Sequence, residues 1–283
     1  MARGALRPPA VAGQFYPSDA VELTQLLEGC FTGRRGPGRL PPPHRSSERH
    51  LRALIVPHAG WIYSGEIAAH AYSALAADRA PEVVLLLGVN HRGRGAPAAL
   101  ASLGWETPIG PIATDAALLS ALRRAPIEVD DRAHASEHSL EVQMPFLDYV
   151  LPKPSVVGLS VSWGSLGFLT EVAAVVRRAL RGRDVLLVAS TDFSHYVPPE
   201  MAQRLDRRAL DAIATRQAET LYDTVRSYDI SMCGVAPTTV LLSALEEEPL
   251  EVRELRWGHS GEAEPMADVV GYASLLLESA TPL

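Results

Sequence analysis

The sequence predicts an α/β fold: a single domain, residues 1–283, with a largely parallel central sheet flanked by helices. Short runs rich in Val, Ile and Leu recur along the chain, apolar nearly throughout, and segments of helical periodicity lie between them. Unbroken apolar runs are what strands covered on both faces show, and a strand-then-helix rhythm is how a parallel sheet with helices on its faces is written.

In chain order, residues 51–57 (LRALIVP), 82–88 (EVVLLLG), 155–161 (SVVGLSV) and 184–190 (DVLLVAS) read as buried strands, and 251–257 and 269–277 as later ones. Residues 64–77 read as a helix, with Ser64 as N-cap and apolar Ile67, Ala71, Tyr72 and Leu75 on one face. Residues 139–150, 166–180, 202–213 and 237–245 have the same character. The proline- and arginine-rich stretch 33–49 reads as an exposed loop. No internal repeat or second domain is visible.

A hydrophobic content of 47% with 21% charged residues is that of a globular protein with an ample core. The net charge of −7 argues against a nucleic-acid partner, because phosphate binding needs a basic surface. Two cysteines, Cys30 and Cys233, make no disulfide framework. No apolar run reaches the roughly 18 residues of a membrane span, and the first residues lack the apolar stretch of a signal peptide. A reduced, cytoplasmic protein without a membrane partner is expected.

In open α/β sheets ligands bind beyond the carboxyl ends of the strands. Those positions hold His58 after the first strand, Asn90 and His91 after the second, and Thr191, Asp192, Ser194 and His195 after 184–190. The segment HASEHSLEVQMPFL adds His134, Glu137 and His138, and ISMCGVAPTT places Cys233 before a helix. Each has a bland reading: a lone strand-end histidine is usually structural, Glu137 suits a helix N-terminus, and a free cysteine is usually a small buried hydrophobe, as Cys30 is expected to be. Three histidines at equivalent strand ends favour a shared pocket. Two histidines with one anionic side chain, Cys233 or Asp192, form a donor set for a redox or Lewis-acid metal. TDFSHY lacks the GxSxG elbow of a hydrolase, and the glycines of GCFTGRRGPG follow no strand, so neither a triad nor a phosphate loop is expected.

The motifs RPPAVAGQFYP, VPHAGWIYSG, LLGVNHRG, EHSLEVQMPFL, STDFSHY and CGVAPTTVLL, in this order over about residues 7–271, resemble the Memo family. Its bacterial and archaeal members are called AmmeMemoRadiSam system protein B. The resemblance implies a fold related to class III extradiol dioxygenases, in which two histidines and an acidic residue hold Fe(II) and a further histidine is the acid/base. Carried over by motif, His58, His91 and Cys233 are the implied metal ligands, His195 the acid/base and Asp192 its polar neighbour. His138 joins them by extrapolation from the EHS motif. Fe(II) is the first expectation for the metal, with Cu or Zn as alternatives because sulfur replaces a carboxylate oxygen. The function expected is redox or oxygenase-type chemistry on a small molecule. Two alternatives stand beside it. One is a binding or scaffold protein holding a peptide or anion with its histidines, Arg92 and Trp61; the other is an accessory partner of a radical-SAM-linked modification system. Trp61 and Tyr63 are candidate pocket walls.

Overall fold

The computed structural model describes residues 5–42 and 45–283, so residues 43 and 44 of the expected loop lie outside the described residues. Chain order begins β1 (Leu6–Arg7), α1 (Ala20–Thr32), β2 (Leu51–Val56), α2 (Trp61–Ala77) and β3 (Val83–Val89). Short strands follow: β4 (Ala98–Leu100), β5 (Gly104–Thr107) and β6 (Gly110–Ile112), then α3 (Ala116–Leu122) and β7 (Glu128–Val129). Next come α4 (Met144–Val150), β8 (Val156–Val161), α5 (Leu166–Leu180), β9 (Val185–Ser190) and β10 (His195–Val197). The chain closes with α6 (Pro199–Ala214), α7 (Ala218–Ser227), α8 (Val235–Ala244), β11 (Leu250–His259) and β12 (Val269–Ser279).

The four runs read as buried strands form the centre of the main sheet, in the order β2-β9-β3-β8 and all parallel. Ile55, Ala189, Leu87 and Leu159 make one continuous row across it. Successive residues face opposite layers. Ala53, Ile55, Leu85, Leu87, Leu187 and Ala189 pack with α5 to α8, whereas Leu54, Val56, Val84, Leu86, Leu186 and Val188 pack with α1, α2 and α4. Both faces are therefore dry, which explains why these strands show no polar alternation.

The flanking pairings are antiparallel, except that the edge strand β7 runs parallel to β4. β12 pairs antiparallel with β2, β10 and β11, and β4 antiparallel with β8. Residues 260–268 between β11 and β12 are too few for the crossover that parallel pairing requires. A separate small sheet joins β1, β5 and β6. No helix among the described residues is long and apolar enough to cross a membrane.

Several local expectations shift. α2 starts at Trp61 with Gly60 as its cap, and the Ser64 hydroxyl instead donates to the Ala59 carbonyl at 2.8 Å. The segment 139–150 is a 3₁₀ turn, Glu141–Gln143, followed by α4, because Pro145 has no N–H to carry an α-helical ladder back through that turn. The stretch 33–49 is exposed at Gly38–Leu40 but tied down at both ends. Arg35 donates to the Ile62 and Tyr63 carbonyls and pairs with Glu66, while Arg49 is buried against Asp184.

The N-terminal segment is strapped across the 134–143 region by one buried ion pair. Arg7 donates to the His134 and Glu137 carbonyls, each at 2.8 Å, and to Glu141 at 2.6 Å. Glu141 in turn accepts from the Ala10 and Val11 amides and the Tyr16 hydroxyl.

Candidate metal centre

The carboxyl ends of β2, β3 and β9 deliver His58, His91 and the loop Thr191–His195 to one place, and the turn before α8 brings Cys233 to meet them. That turn sits against the end of β9 through Gly234, whose N–H donates to the Thr191 hydroxyl at 3.0 Å. A Cβ at position 234 would collide with Thr191 and the Ser190 carbonyl, so only glycine allows this approach. The Asp192 N–H donates to the Cys233 sulfur at 3.3 Å, and that sulfur lies 3.2 Å from His58 Nε2. One donor atom each from His58, His91 and Cys233 lies within 4.8 Å of the others.

The histidine rings are oriented by hydrogen bonds made at their far nitrogens. The Ser190 hydroxyl spends its only proton on the Ser139 carbonyl at 2.7 Å. It must therefore accept from its other two neighbours, Gln143 Nε2 at 2.9 Å and His58 Nδ1 at 3.0 Å. His58 consequently carries its proton on Nδ1 and presents a lone pair on Nε2, toward Cys233. Gln143 is itself fixed, donating to the Pro57 carbonyl and accepting from the Tyr72 hydroxyl, each at 2.8 Å. Burial, followed by the neighbouring histidines His138, His91 and His195, pushes His58 well below the ordinary histidine range, so its ring stays neutral.

Glu137 does the same for His91. One carboxylate oxygen accepts from His91 Nδ1 at 2.9 Å and from the amides of His138 and Ser139; the other accepts from the His91 amide at 2.9 Å. Burial alone would raise this carboxyl, but the His91 hydrogen bond and charge outweigh it and hold it at about 2. It is thus an ionised orienting group. His91 Nε2 is left as the free donor.

His138 belongs to the cluster. Its ring stacks on His91 at 4.6 Å between centroids, meets His58 edge-on at 5.4 Å and rests on Phe15 at 4.7 Å. Burial lowers it to about 4 despite the nearby Glu137 carboxylate. Asp192 accepts from the His58 backbone N–H at 2.7 Å, and burial raises its carboxyl to about 6. His195 sits at the rim, its Nδ1 held at 2.8 Å from the Ser231 carbonyl, two residues from Cys233. A carbonyl only accepts, so His195 Nε2 is the unprotonated atom of the neutral ring.

Other sequence candidates fall elsewhere. His134 is buried and bonded to the Ala99 carbonyl. Trp61, expected as a pocket wall, is 2% exposed and packs on Tyr16 and Phe146, a core role set by the earlier start of α2. Tyr63 reaches outward to Glu264, Arg92 is exposed, and Cys30 is a buried core residue. Ser194 bonds the buried Asp206 and so anchors the 191–195 loop to α6. Sequence reading missed Ser190 and Gln143; a serine ending an apolar strand and a glutamine inside an apolar run were the available signals.

The donor set fits a transition metal. His58 presents a lone pair, His91 turns its Nε2 to the same place, and the sulfur beside them is a thiol that burial, then the Asp192 charge, pushes above its ordinary range. A cation is what would reverse that preference and yield the thiolate. A cavity of about 520 Å³, lined by Trp163, Ile230, Ser231 and Met232 among others, borders Cys233.

Comparison with known proteins bears on the family and the fold. Residues 7–276 match the family model described as Memo-like protein. A MEMO1 family protein of Methanopyrus kandleri is 39% identical over 278 residues, spanning 95% of this chain and 98% of its own. One from Thermotoga neapolitana is 38% identical, spanning 96% and 99%. Among solved structures, an uncharacterized protein of Escherichia coli K12 shares the fold with a TM-score of 0.52 at 14% identity, covering 80% of this chain and 99% of its own. The chain belongs to the Memo-like protein family.

Proposed function

We propose that this protein is a metal-dependent redox enzyme of the non-haem type acting on a small molecule, with His58, His91 and Cys233 holding a divalent transition metal. The observation that carries this reading is the pairing of His58 Nε2 with the Cys233 sulfur at 3.2 Å, with hydrogen bonds on the far ring nitrogens leaving the Nε2 lone pairs free. Fe(II) is our first assignment; the sulfur donor makes Cu and Zn its competitors. When bound, the metal supplies the Lewis-acid and redox chemistry that no side chain here possesses.

The chain's own residues bind, orient and move protons around that centre. His195, fixed through Nδ1, offers Nε2 as acceptor or, once protonated, as donor at the mouth of the pocket. Asp192 holds the His58 backbone in place and, with its carboxyl near 6, can keep or release a proton close to neutral pH. His138 adds a neutral imidazole to the same wall. The cavity beside Cys233 is of a size that holds a small molecule.

The test is elemental analysis of protein purified without oxygen. Near-stoichiometric iron is expected in the natural protein and loss of it in the His58→Ala/His91→Ala double variant. Full metal occupancy in that variant would overturn the assignment.

A further inference from the structure

A second cavity, also about 520 Å³, opens at the other end of the sheet. β2 starts two residues after Arg49, carries Arg52 as its second residue and ends at Val56, just before Pro57 and His58; β9 begins after Asp184 and leads to Asp192. The same two strands thus connect the cavity to the metal centre. Its lining is basic in a chain of net charge −7: Arg49, Arg52, Arg79, Arg177, Arg181 and Arg183 face it, against Asp184, Glu247 and Glu248.

Part of this charge is neutralised within the protein. Arg52 forks onto Glu248 at 2.8 and 2.9 Å, Arg49 and Arg79 share Asp184, and Arg177 reaches Glu247 and, outside the lining, Glu246. Part is not. Arg181 and Arg183 are exposed and make no ion pair among the described residues. Arg49, 2% exposed, has a buried Nη2 without a hydrogen-bond partner, and Arg177 has a buried Nε in the same condition. A buried donor left bare is unfavourable, and more so when charged. Both bare guanidinium donors among the described residues belong to this one lining. Burial, then the charge of Arg52, lowers the Arg49 guanidinium to about 10, as expected where positive charge is incompletely balanced.

We propose that this cavity binds a phosphorylated small molecule carrying at least two phosphoryl groups, of the nucleoside diphosphate kind. Arginine forks match phosphoryl oxygens in geometry. Arg181 and Arg183, exposed and unpaired at the rim, can each take a phosphoryl group, and the incompletely paired Arg49 and Arg177 behind them add positive field. The volume suits a whole small molecule, and Leu180 and Ala244 offer apolar contact to its body.

Calorimetric titration of the full chain with ADP, tripolyphosphate, citrate and adenosine tests this. ADP and tripolyphosphate bind and compete, citrate binds at least tenfold more weakly, and adenosine gives no heat. The Arg181→Glu/Arg183→Glu variant, altering two exposed and unpaired residues, weakens ADP at least tenfold with an unchanged melting temperature in the absence of ligand. The His58→Ala variant binds ADP as the natural protein does. No binding of ADP at millimolar concentration, or equal affinity in the double arginine variant, overturns the proposal. Citrate as tight as ADP overturns the phosphoryl class. Loss of ADP binding in His58→Ala moves the ligand to the metal centre and overturns it as well.

Discussion

Ser190 has one proton and three partners, and that arithmetic sets the tautomer of His58. Ser190→Ala removes the acceptor for His58 Nδ1–H, letting the ring protonate at either nitrogen or turn. Such orienting partners are worth about 10- to 100-fold in metal affinity, so the variant is expected to bind metal weaker by that factor in competition with a chelator. Nitrogen NMR of the metal-free variant should show mixed tautomers, and Ser190→Thr should restore the single form. Unchanged affinity with an unchanged tautomer would show that Ser190 only fills space. At this scale the sequence was half legible. His58, His91, His195 and Cys233 stand where strand ends or a small-residue turn announce them. Ser190 and Gln143 matter through bonds to residues 47 to 132 positions away, which no local pattern reveals.

Among the elements, the N-terminal strap has the most concentrated energetics. Glu141 is 2% exposed and accepts four bonds, from Arg7, Ala10, Val11 and Tyr16. Removing one member of a buried pair strands its partner, at about 3–5 kcal/mol. Glu141→Ala is therefore expected to lower unfolding free energy by that amount in urea titration. The Arg7→Met/Glu141→Leu double variant should lose much less, since neither charge is then left alone. Equal losses in the two would point to packing instead of charge. The strap also carries Phe15 onto His138, linking this stability to the site. The four central strands were readable because full burial demands unbroken apolar runs. Short β4 to β7 and the strap were not, because they are held by partners distant in sequence, such as β4 by β8 and Arg7 by Glu141. β11 and β12 were recognisable as strands, but their direction came from the short connection between them.

For the molecule as a whole, acid stability sets the buried His134 apart from the histidines of the candidate metal centre. His134 lies in the same motif as Glu137 and His138, yet it is 1% exposed, bonded through Nε2 to the Ala99 carbonyl at 3.0 Å and bare at Nδ1. Burial is the largest cause holding its pKa down, at about 4 against an ordinary 6.5. As pH falls below about 6.5 the unfolded chain takes up a proton at this residue that the folded chain refuses until about 4. Stability is therefore lost progressively across that window, by up to about 3 kcal/mol, and the loss levels off below it. Asp148 and Asp206 act in the opposite sense, since burial raises their carboxyls and the folded state takes up those protons first. The informative quantity is thus the difference between the natural protein and His134→Gln, which keeps a donor for Ala99 but does not titrate. Urea unfolding at pH 7, 6, 5 and 4, with metal removed from both, should give a difference that shifts in favour of the variant as pH falls. A difference independent of pH would mean that His134 is not held neutral in the fold, and the acid limit of this protein would then have to come from His58 and His138 in the candidate metal centre.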